Sequence, residues 1–372
     1  MTSIEVLDHH VVYQNPISEL RARHGYFPGV VELPSGDLLA LFCLAEAMDA
    51  TDGTTVVSRS EDEGRTWRLE GALHEKAPDR QLDSDYLKPN LVGDGGLIAT
   101  GYRFHRTDPE QTLANAETDG VRGGENVVSF SDDEGRTWST PQVIPRSCPE
   151  LVEASGPSIE LRSGVILLGG SLFPMWDGSH PSGFVGVLFR SEDQGKTWDD
   201  RTRFFEDPQR RFMPSEPRFC EMQDDRVVSL VWTTDHVAGI NLANHVTVSG
   251  DGGKSWTAPI DTGVQAQASN LMYLGDDLLL TIHSHREGNA EEIGLTVRIV
   301  DFSGNRWTMI SERSIWKGAP PARIANYSGM AMSLKFGQPS LVRLDSGEIL
   351  ATHWAVQDGQ GRILTHRLRV EP

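Results

Sequence analysis

Carboxylate residues stand at corresponding points of several repeated segments, just before a repeated proline or just after a second apolar run. We identify Glu216, Asp49 and Asp52 as candidate catalytic residues, and Glu153 or Asp85 as alternative partners of Glu216. Glycoside hydrolysis requires two carboxyl groups, because one protonates the leaving oxygen while the other activates water or attacks the sugar. The carboxylates therefore predict glycoside hydrolysis, and the stereochemical outcome depends on a separation that the sequence does not supply.

Cationic and aromatic residues occupy the equivalent positions of the same repeats and of the others. Guanidinium and ammonium groups suit an acidic substituent such as a uronate, because they form charge-assisted hydrogen bonds with carboxylates. Aromatic rings suit stacking on a sugar ring, so we predict a small, acidic oligosaccharide as the substrate. Besides Asp85 and Glu153, the predicted substrate-binding residues are Arg23, His24, Tyr26, Lys88, Arg103, Arg218, Trp232, His283, Arg286, Gln338 and Trp354.

Two histidines raise the question of a metal site. His283 and His285 share one face of a predicted strand, because alternate residues of a strand point the same way. A zinc site needs at least three protein ligands, and no third ligand is identifiable. We therefore expect neither a metal nor a cofactor.

An octapeptide, SEDEGRTW or a close variant, recurs four times along the chain. Its Asp accepts hydrogen bonds from backbone N–H groups, its Gly supplies a positive φ and its Trp packs between units, so it predicts a turn. Its aspartates are therefore excluded from the candidate site. The copies are Ser60–Trp67, Ser131–Trp138, Ser191–Trp198 and Ser249–Trp256.

A second pattern precedes these turns and consists of an alternating apolar run, a turn and another apolar run. Its copies recur about every 62 residues, and six of them fill the chain, so we predict a single domain over residues 1–372. Each of the first five units contains four predicted strands, which is typical of one propeller blade. The copies begin at Pro28, Pro89, Pro157, Pro217, Ser269 and Pro339.

The sixth unit ends one strand short. Residues 4–13 alternate like a strand and precede the first unit, so they are placed to complete the last blade. Such closure leaves few exposed sheet edges. We predict an all-β fold, a six-bladed β-propeller with four-stranded antiparallel blades closed by the N-terminal strand.

The octapeptides resemble the Asp-box, or bacterial neuraminidase repeat, and with the second pattern they make nearly the whole chain similar to the sialidase superfamily. This resemblance implies a six-bladed propeller. It also implies that the ligand lies over the central channel, on the face that carries the starts of the innermost strands, and that the Asp-boxes lie away from it.

Sialidases present three arginines to the substrate carboxylate, and this chain retains few of them. The family has Arg-Ile-Pro at the opening of the first blade, whereas this chain has Tyr26-Phe27-Pro28, so Tyr26 stands in place of the first arginine. The second falls near Trp232, and Arg286 occupies a plausible place for the third. A carboxylate clamp loses most of its donors without the first two. We therefore predict a sialidase-like glycoside hydrolase that lacks true sialidase activity.

The resemblance also implies roles for individual catalytic residues. Tyr327 lies where the tyrosine nucleophile is expected, and Glu216 matches the glutamate that opens the fourth blade and assists the nucleophile. Asp49 or Asp52 lies in the loop that carries the general acid.

Two other functions remain open at this point. His24, Tyr26 and Arg103 could perform β-elimination on a uronate, as in polysaccharide lyases of propeller fold. A non-catalytic carbohydrate-binding propeller is the other alternative.

The charge of the chain excludes several classes of partner. The net charge is −19, which repels nucleic acids and anionic membranes. Three widely spaced cysteines and the absence of a leader-like amino terminus lead us to expect a cytoplasmic protein that binds a small carbohydrate. A homo-oligomer is compatible with this composition.

Overall fold

The computed structural model describes residues 2–93, 95–289, 291–319 and 334–371. The predicted nucleophile Tyr327 lies outside these residues. The described chain forms six antiparallel sheets arranged as a six-bladed propeller, which confirms the predicted fold. No helix among the described residues has the length and apolar character of a membrane span.

The first three blades follow one another along the chain, each numbered from its innermost strand outward. Blade 1 contains β2 (His24–Glu32), β3 (Leu38–Ala45), β4 (Thr54–Ser60) and β5 (Arg68–Ala72). Blade 2 contains β6 (Ser84–Val92), β7 (Gly96–Phe104), β8 (Gly124–Ser131) and β9 (Gln142–Ile144). In blade 3, two short segments share the innermost position, so its strands are β10 (Val152–Glu153), β11 (Ile159–Glu160), β12 (Ile166–Leu172), β13 (Val185–Ser191) and β14 (Asp199–Glu206).

The remaining blades repeat this plan. Blade 4 contains β15 (Phe212–Glu221), β16 (Val227–Asp235), β17 (Ile240–Asn241), β18 (His245–Ser249) and β19 (Ile260–Asp261). Blade 5 contains β20 (Ser269–Gly275), β21 (Leu278–His285), β22 (Gly294–Asp301) and β23 (Thr308–Lys317). Blade 6 contains β24 (Phe336–Arg343), β25 (Ile349–Gln357), β26 (Gln360–Glu371) and the N-terminal strand β1 (Ser3–Tyr13), and the two short 3-10 helices are Pro78–Arg80 and Ser303–Asn305.

The ring closes as the sequence predicts. Strand β1 pairs antiparallel with β26 from Ser3 opposite Glu371 to Tyr13 opposite Ile363. The outermost strand of blade 6 therefore comes from the start of the chain and its other three strands from the end. This arrangement ties the two chain ends together in one sheet.

The Asp-boxes form the predicted turns and also join adjacent blades. In the second box, the Asp133 carboxylate accepts hydrogen bonds from the Ser131 hydroxyl at 2.8 Å and from the Thr137 amide at 2.9 Å. Gly135 has a φ of +77°, and a Cβ there would lie 2.9 Å from Leu39 in the second strand of blade 1. The box glycine is thus required both by the turn and by close packing against the preceding blade.

Replacing Asp133 with Ala should destabilise the protein by about 1–2 kcal/mol, because the turn loses a charged acceptor. Hydrogen bonds from Thr137 lower the pKa of Asp133 to about 2. Its stabilisation is therefore complete above the ordinary carboxyl value of 3.8 and is lost as the pH falls towards 2.

Denaturant titrations at several pH values test this expectation. The difference between wild type and Asp133→Ala should shrink in acid. Asp132→Ala is the matched control, because the Asp132 carboxylate accepts none of these turn bonds. Equal unfolding free energies for the two variants would contradict the assignment.

Candidate active site

A pocket of about 250 Å³ opens at the end of the central channel where the innermost strands begin. Blades 1, 2, 3, 4 and 6 contribute its described lining. The resemblance to the sialidase superfamily implies a ligand on this face of the propeller, where the innermost strands start. The lining residues are Phe27, Met48, Asp49, Tyr86, Tyr102, Phe104, Leu113, Ala114, Val121, Glu153, Phe173, Met213, Ser215, Glu216, Trp232, Thr234, Gly239, Asn241, Leu334 and Gln338.

Three lining residues owe their position to the same backbone irregularity. Phe27, Glu216 and Gln338 each precede a proline and have φ values of +56°, +47° and +43°. In each innermost strand the pairing register shifts at this dipeptide. The left-handed conformation is unfavourable for a residue with a side chain and is found mainly at functional positions. The bulge brings one side chain from each of blades 1, 4 and 6 to the pocket.

Glu216 is held by a residue that has the same backbone conformation. Gln338 donates from Nε2 to Oε1 of Glu216 at 2.6 Å. The second carboxylate oxygen of Glu216, Oε2, is buried and has no hydrogen-bond partner. The amide oxygen of Gln338 is likewise buried without a partner. Buried polar atoms without partners are costly, so a water molecule or a ligand hydroxyl group that reached either oxygen would be stabilised by it.

Glu153 lies on the same wall, at the end of the two-residue strand β10. The Ser171 hydroxyl donates to its Oε2 at 2.7 Å. Burial, and next the Glu216 charge, raise the pKa of Glu153 to about 8. The site therefore holds a carboxyl group that keeps its proton at neutral pH.

Asp49 reaches the pocket from the loop between β3 and β4. Burial raises its pKa, although the charge of Arg106 opposes the shift. Asp52, the alternative acid of this loop, is not in the lining, and its carboxylate accepts the Glu46 amide at 3.2 Å instead. The structure thus brings Asp49 to the site and assigns Asp52 to the fold of the loop.

Aromatic rings form much of the wall. Tyr86 and Tyr102 stack with ring centroids 5.3 Å apart, and Phe104 packs edge-on against Tyr102 at 5.4 Å. Across the pocket, the Trp232 indole donates to Asn241 at 2.7 Å, which fixes the ring. These surfaces suit the apolar face of a sugar.

Three cationic side chains that were predicted to bind the substrate lie behind this aromatic wall. Lys88, Arg218 and Arg286 are each nearly fully buried and are absent from the described lining. Lys88 donates to the Phe27 carbonyl, Arg218 to the Pro217 carbonyl and Arg286 to the Phe336 carbonyl. One Arg286 nitrogen, Nη1, is buried without a partner.

A glycine of an adjacent blade makes room for each cation. A Cβ at Gly29 would lie 3.0 Å from Lys88, one at Gly156 would lie 3.1 Å from Arg218, and one at Gly337 would lie 1.8 Å from Arg286.

Several predicted binding residues are buried away from the pocket. Trp354 and Tyr26 pack together behind Phe27 with ring centroids 5.5 Å apart. His283 is bonded to Ser269 and Thr281 within blade 5. These three side chains belong to the core because they lie behind the channel wall.

Two other predicted binding residues, Asp85 and Arg103, are bonded to partners at the edges of the blades. Asp85 accepts the Thr55 amide at 2.7 Å and contacts His74 at 3.0 Å. Arg103 forms an ion pair with Glu125 at 2.7 Å. Neither side chain is in the described lining, because local partners hold each within or beside its own blade.

Two more predicted binding residues, His24 and Arg23, also lie outside the pocket. His24 accepts a hydrogen bond from the Gly361 amide at 2.8 Å, and Arg23 is exposed and offers its carbonyl to the Tyr13 hydroxyl. Of the predicted site residues, the pocket therefore brings together Asp49, Glu153, Glu216, Trp232 and Gln338.

The prediction missed apolar lining residues. Phe104 ends the second strand of blade 2 and Phe173 directly follows that of blade 3, which are positions where polar residues, tyrosine and tryptophan were predicted to bind the ligand. Extending the same prediction to phenylalanine would have found both. Met48, one residue before Asp49, had no comparable signal.

A second cavity, of about 520 Å³, lies where the innermost strands end, at the other end of the channel. Its acidic residues are Glu32 and Asp345, and the Glu32 carboxylate already accepts the Asp345 amide at 2.8 Å. The first pocket contains three acidic side chains, Asp49, Glu153 and Glu216. No group of three or more potential metal ligands occurs within the described part of the chain.

Replacing Glu153 with Gln should change how stability depends on pH. Because the folded protein raises this pKa, its protonated form favours folding, and that contribution is lost as the pH rises from about 4.5 to about 8. The free energy of unfolding of wild type relative to Glu153→Gln should therefore fall across this range. A constant difference in denaturant titrations would show that Glu153 titrates normally.

Comparison with known proteins identifies the family. The model of the BNR repeat-like domain matches residues 104–333. The chain belongs to this family. Family membership and propeller fold together confirm the resemblance to the sialidase superfamily.

Solved structures share the fold of this BNR-repeat protein at low sequence identity. A Dyadobacter fermentans protein of unknown function has a TM-score of 0.77 and 20% identity, with 99% of both chains covered. A Penicillium chrysogenum alpha-L-arabinanase complexed with arabinobiose has a TM-score of 0.64 and 15% identity, with 98% of both chains covered. These similarities establish the fold.

A Trypanosoma rangeli sialidase in complex with the inhibitor DANA has a TM-score of 0.64 and 15% identity. The alignment covers 93% of this chain but only 55% of the sialidase, so the chain spans about half the length of that enzyme. No curated protein matches the sequence.

Proposed function

We propose that this protein is a glycoside hydrolase whose active site is the pocket at the channel mouth. The observation that carries the proposal is the convergence of Asp49, Glu153 and Glu216, from three different blades, on one aromatic-lined pocket. Sialidases and an arabinanase with the same fold support a hydrolase of this class.

The carboxyl groups differ in environment, which assigns their roles. Asp49 is the general acid, because burial raises its pKa and favours the protonated form. We assign Glu216 as the base, because its Oε2 has no hydrogen-bond partner in the protein and could accept a proton. One group then protonates the leaving oxygen while the other assists attack.

The size and charge of the pocket indicate the substrate. Its volume is below the ~300–1,000 Å³ of sites for drug-sized ligands, so it suits a single sugar unit at the end of a chain. Its described lining contains three carboxyl side chains and no lysine or arginine. We propose an uncharged sugar, rather than the acidic one that the sequence suggested, with hydroxyl groups donating to Glu216 and Gln338.

A panel of aryl glycosides and oligosaccharides, each neutral sugar paired with its uronide, tests the proposal. Mass spectrometry should show products that together exceed the substrate by one water, and the neutral member of a pair should be cleaved faster. Cleavage of uronides alone would contradict the proposed substrate, and no cleavage of any member would contradict hydrolysis and favour a binding propeller.

Once a substrate is known, Asp49→Asn and Glu216→Gln should each lower kcat by about 10²–10⁴-fold, the usual contribution of general acid–base catalysis. Glu46→Gln is the matched control, because Glu46 is an exposed carboxylate of the same loop as Asp49 and is not in the lining. Activity retained by both site variants would rule out these roles.

The lyase alternative depended on His24, Tyr26 and Arg103. None of the three is in the pocket lining, and Arg103 is paired with Glu125. The same panel should therefore produce no absorbance from a new carbon–carbon double bond, whereas such absorbance would favour elimination.

A further inference from the structure

The loop between β3 and β4, which carries Asp49, is held against blade 2. Three successive carbonyl groups of this loop, those of Met48, Asp49 and Ala50, accept hydrogen bonds from side chains of blade 2. Tyr86 donates to the Met48 carbonyl at 3.2 Å, and Arg106 donates to the other two. The middle of the loop is therefore fixed by a neighbouring blade.

The Arg106 guanidinium joins this loop to the start of an innermost strand. Its Nη1 donates to the Asp49 carbonyl, and its Nη2 donates to the Ala50 carbonyl at 3.3 Å and to the Ser84 hydroxyl at 2.7 Å. Ser84 begins β6 and is fully buried, and Arg106 is only 5% exposed. A planar guanidinium with several fixed donors can hold a loop and a strand at a set separation.

Asp49 depends on this support because its own carboxyl group is not held. Within the part of the chain that the structure describes, no hydrogen bond reaches the Asp49 side chain. The carboxyl group nevertheless lines the pocket. Its place there is therefore set by the backbone of the loop.

The far end of the loop is held separately. Lys76 donates to the Gly53 carbonyl at 2.9 Å, and the Asp85 amide donates to the same carbonyl at 3.3 Å. Gly53 lies four residues beyond Asp49, next to β4. Lys76 is therefore a second buried cation bonded to this loop, but it does not contact the peptide groups beside Asp49.

The charge of Arg106 acts on the same carboxyl group. It lowers the pKa of Asp49, against the larger effect of burial. Lysine would retain the positive charge, but it offers one nitrogen in place of the guanidinium fork. Substitution by lysine can therefore separate support of the backbone from the effect of charge.

We propose that Arg106 is a positioning residue, which fixes the place of the Asp49 carboxyl group in the pocket by holding the loop carbonyls against Ser84. The geometric part of this proposal does not depend on hydrolysis. Its kinetic consequence rests on the proposed function, because it requires Asp49 to act as the general acid.

Crystal structures of the wild type, Arg106→Lys and Lys76→Met test the geometry. In Arg106→Lys the Asp49 carboxyl group should move by about 1 Å or more, because one nitrogen cannot bond all three acceptors of the guanidinium. In Lys76→Met it should stay in place. An unmoved carboxyl group in Arg106→Lys, or an equal movement in both variants, would overturn the proposal.

Ser84→Ala keeps the test decisive if Arg106→Lys folds poorly. This variant removes the anchor of the guanidinium and leaves Arg106 and the loop unchanged in sequence. The Asp49 carboxyl group should move in the same direction as in Arg106→Lys, but by less. An Asp49 that keeps its position in Ser84→Ala would contradict the proposed anchor.

Kinetics test the consequence. With a cleavable glycoside, Arg106→Lys should lower kcat by about 10²-fold with little change in KM, because misplacing a reacting group by about 1 Å has an effect of this size. Lys76→Met should leave kcat nearly unchanged. Full activity of Arg106→Lys would show that only the charge matters, and a raised KM with an unchanged kcat would show a role in binding. Either result would overturn the proposal.

Together these measurements separate the positioning role from the proposed function. A displaced Asp49 in Arg106→Lys, in a protein that cleaves no glycoside, would support the positioning role and contradict hydrolysis. A cleaving enzyme whose Asp49 stays in place in Arg106→Lys would support hydrolysis and contradict the positioning role.

Discussion

The left-handed conformation of Glu216 before Pro217 is the constraint on which the site depends. A residue with a side chain in this conformation costs about 1–3 kcal/mol, and it persists only where the surrounding structure enforces it. Here the adjoining strand, Pro217 and the bond from Gln338 enforce it. The same irregularity at Phe27 and Gln338 brings side chains of blades 1 and 6 to the pocket as well.

The separation of charges across the channel wall explains why this site differs from that of a sialidase. Tyr26, which stands in place of the family's first arginine, is buried outside the pocket lining, and Trp232, near the expected second, lines the pocket. The retained Arg286 lies behind Trp232, with its guanidinium carbon 5.8 Å from the ring centroid. The buried cations lie behind the wall, where burial lowers the pKa of Lys88, Arg218 and Arg286 and the charge of Glu216 opposes this shift. The pocket therefore presents carboxyl groups and aromatic rings to its ligand, which suits an uncharged sugar.

The fold could be predicted because its signals are local and repeated. The Asp-box is a turn made by its own residues, and six similar units with one missing strand leave β1 as the closing strand. The site was only partly predictable. Residues just before a repeated proline or just after a second strand were predicted to line the site. This rule correctly selects Glu216, Gln338 and Trp232, but it also selects Trp354, which is fully buried. Bulges decide which inner residues face the pocket, and they depend on pairing between distant segments.

A crystal structure of Glu216→Gln soaked with a glycoside cleaved by the wild type would test the central claim most directly. The account predicts a sugar ring in the pocket at the channel mouth, with its leaving oxygen near Asp49 and a hydroxyl group bonded to residue 216 or Gln338. A sugar bound instead in the cavity at the other end of the channel, beside Glu32 and Asp345, would contradict it.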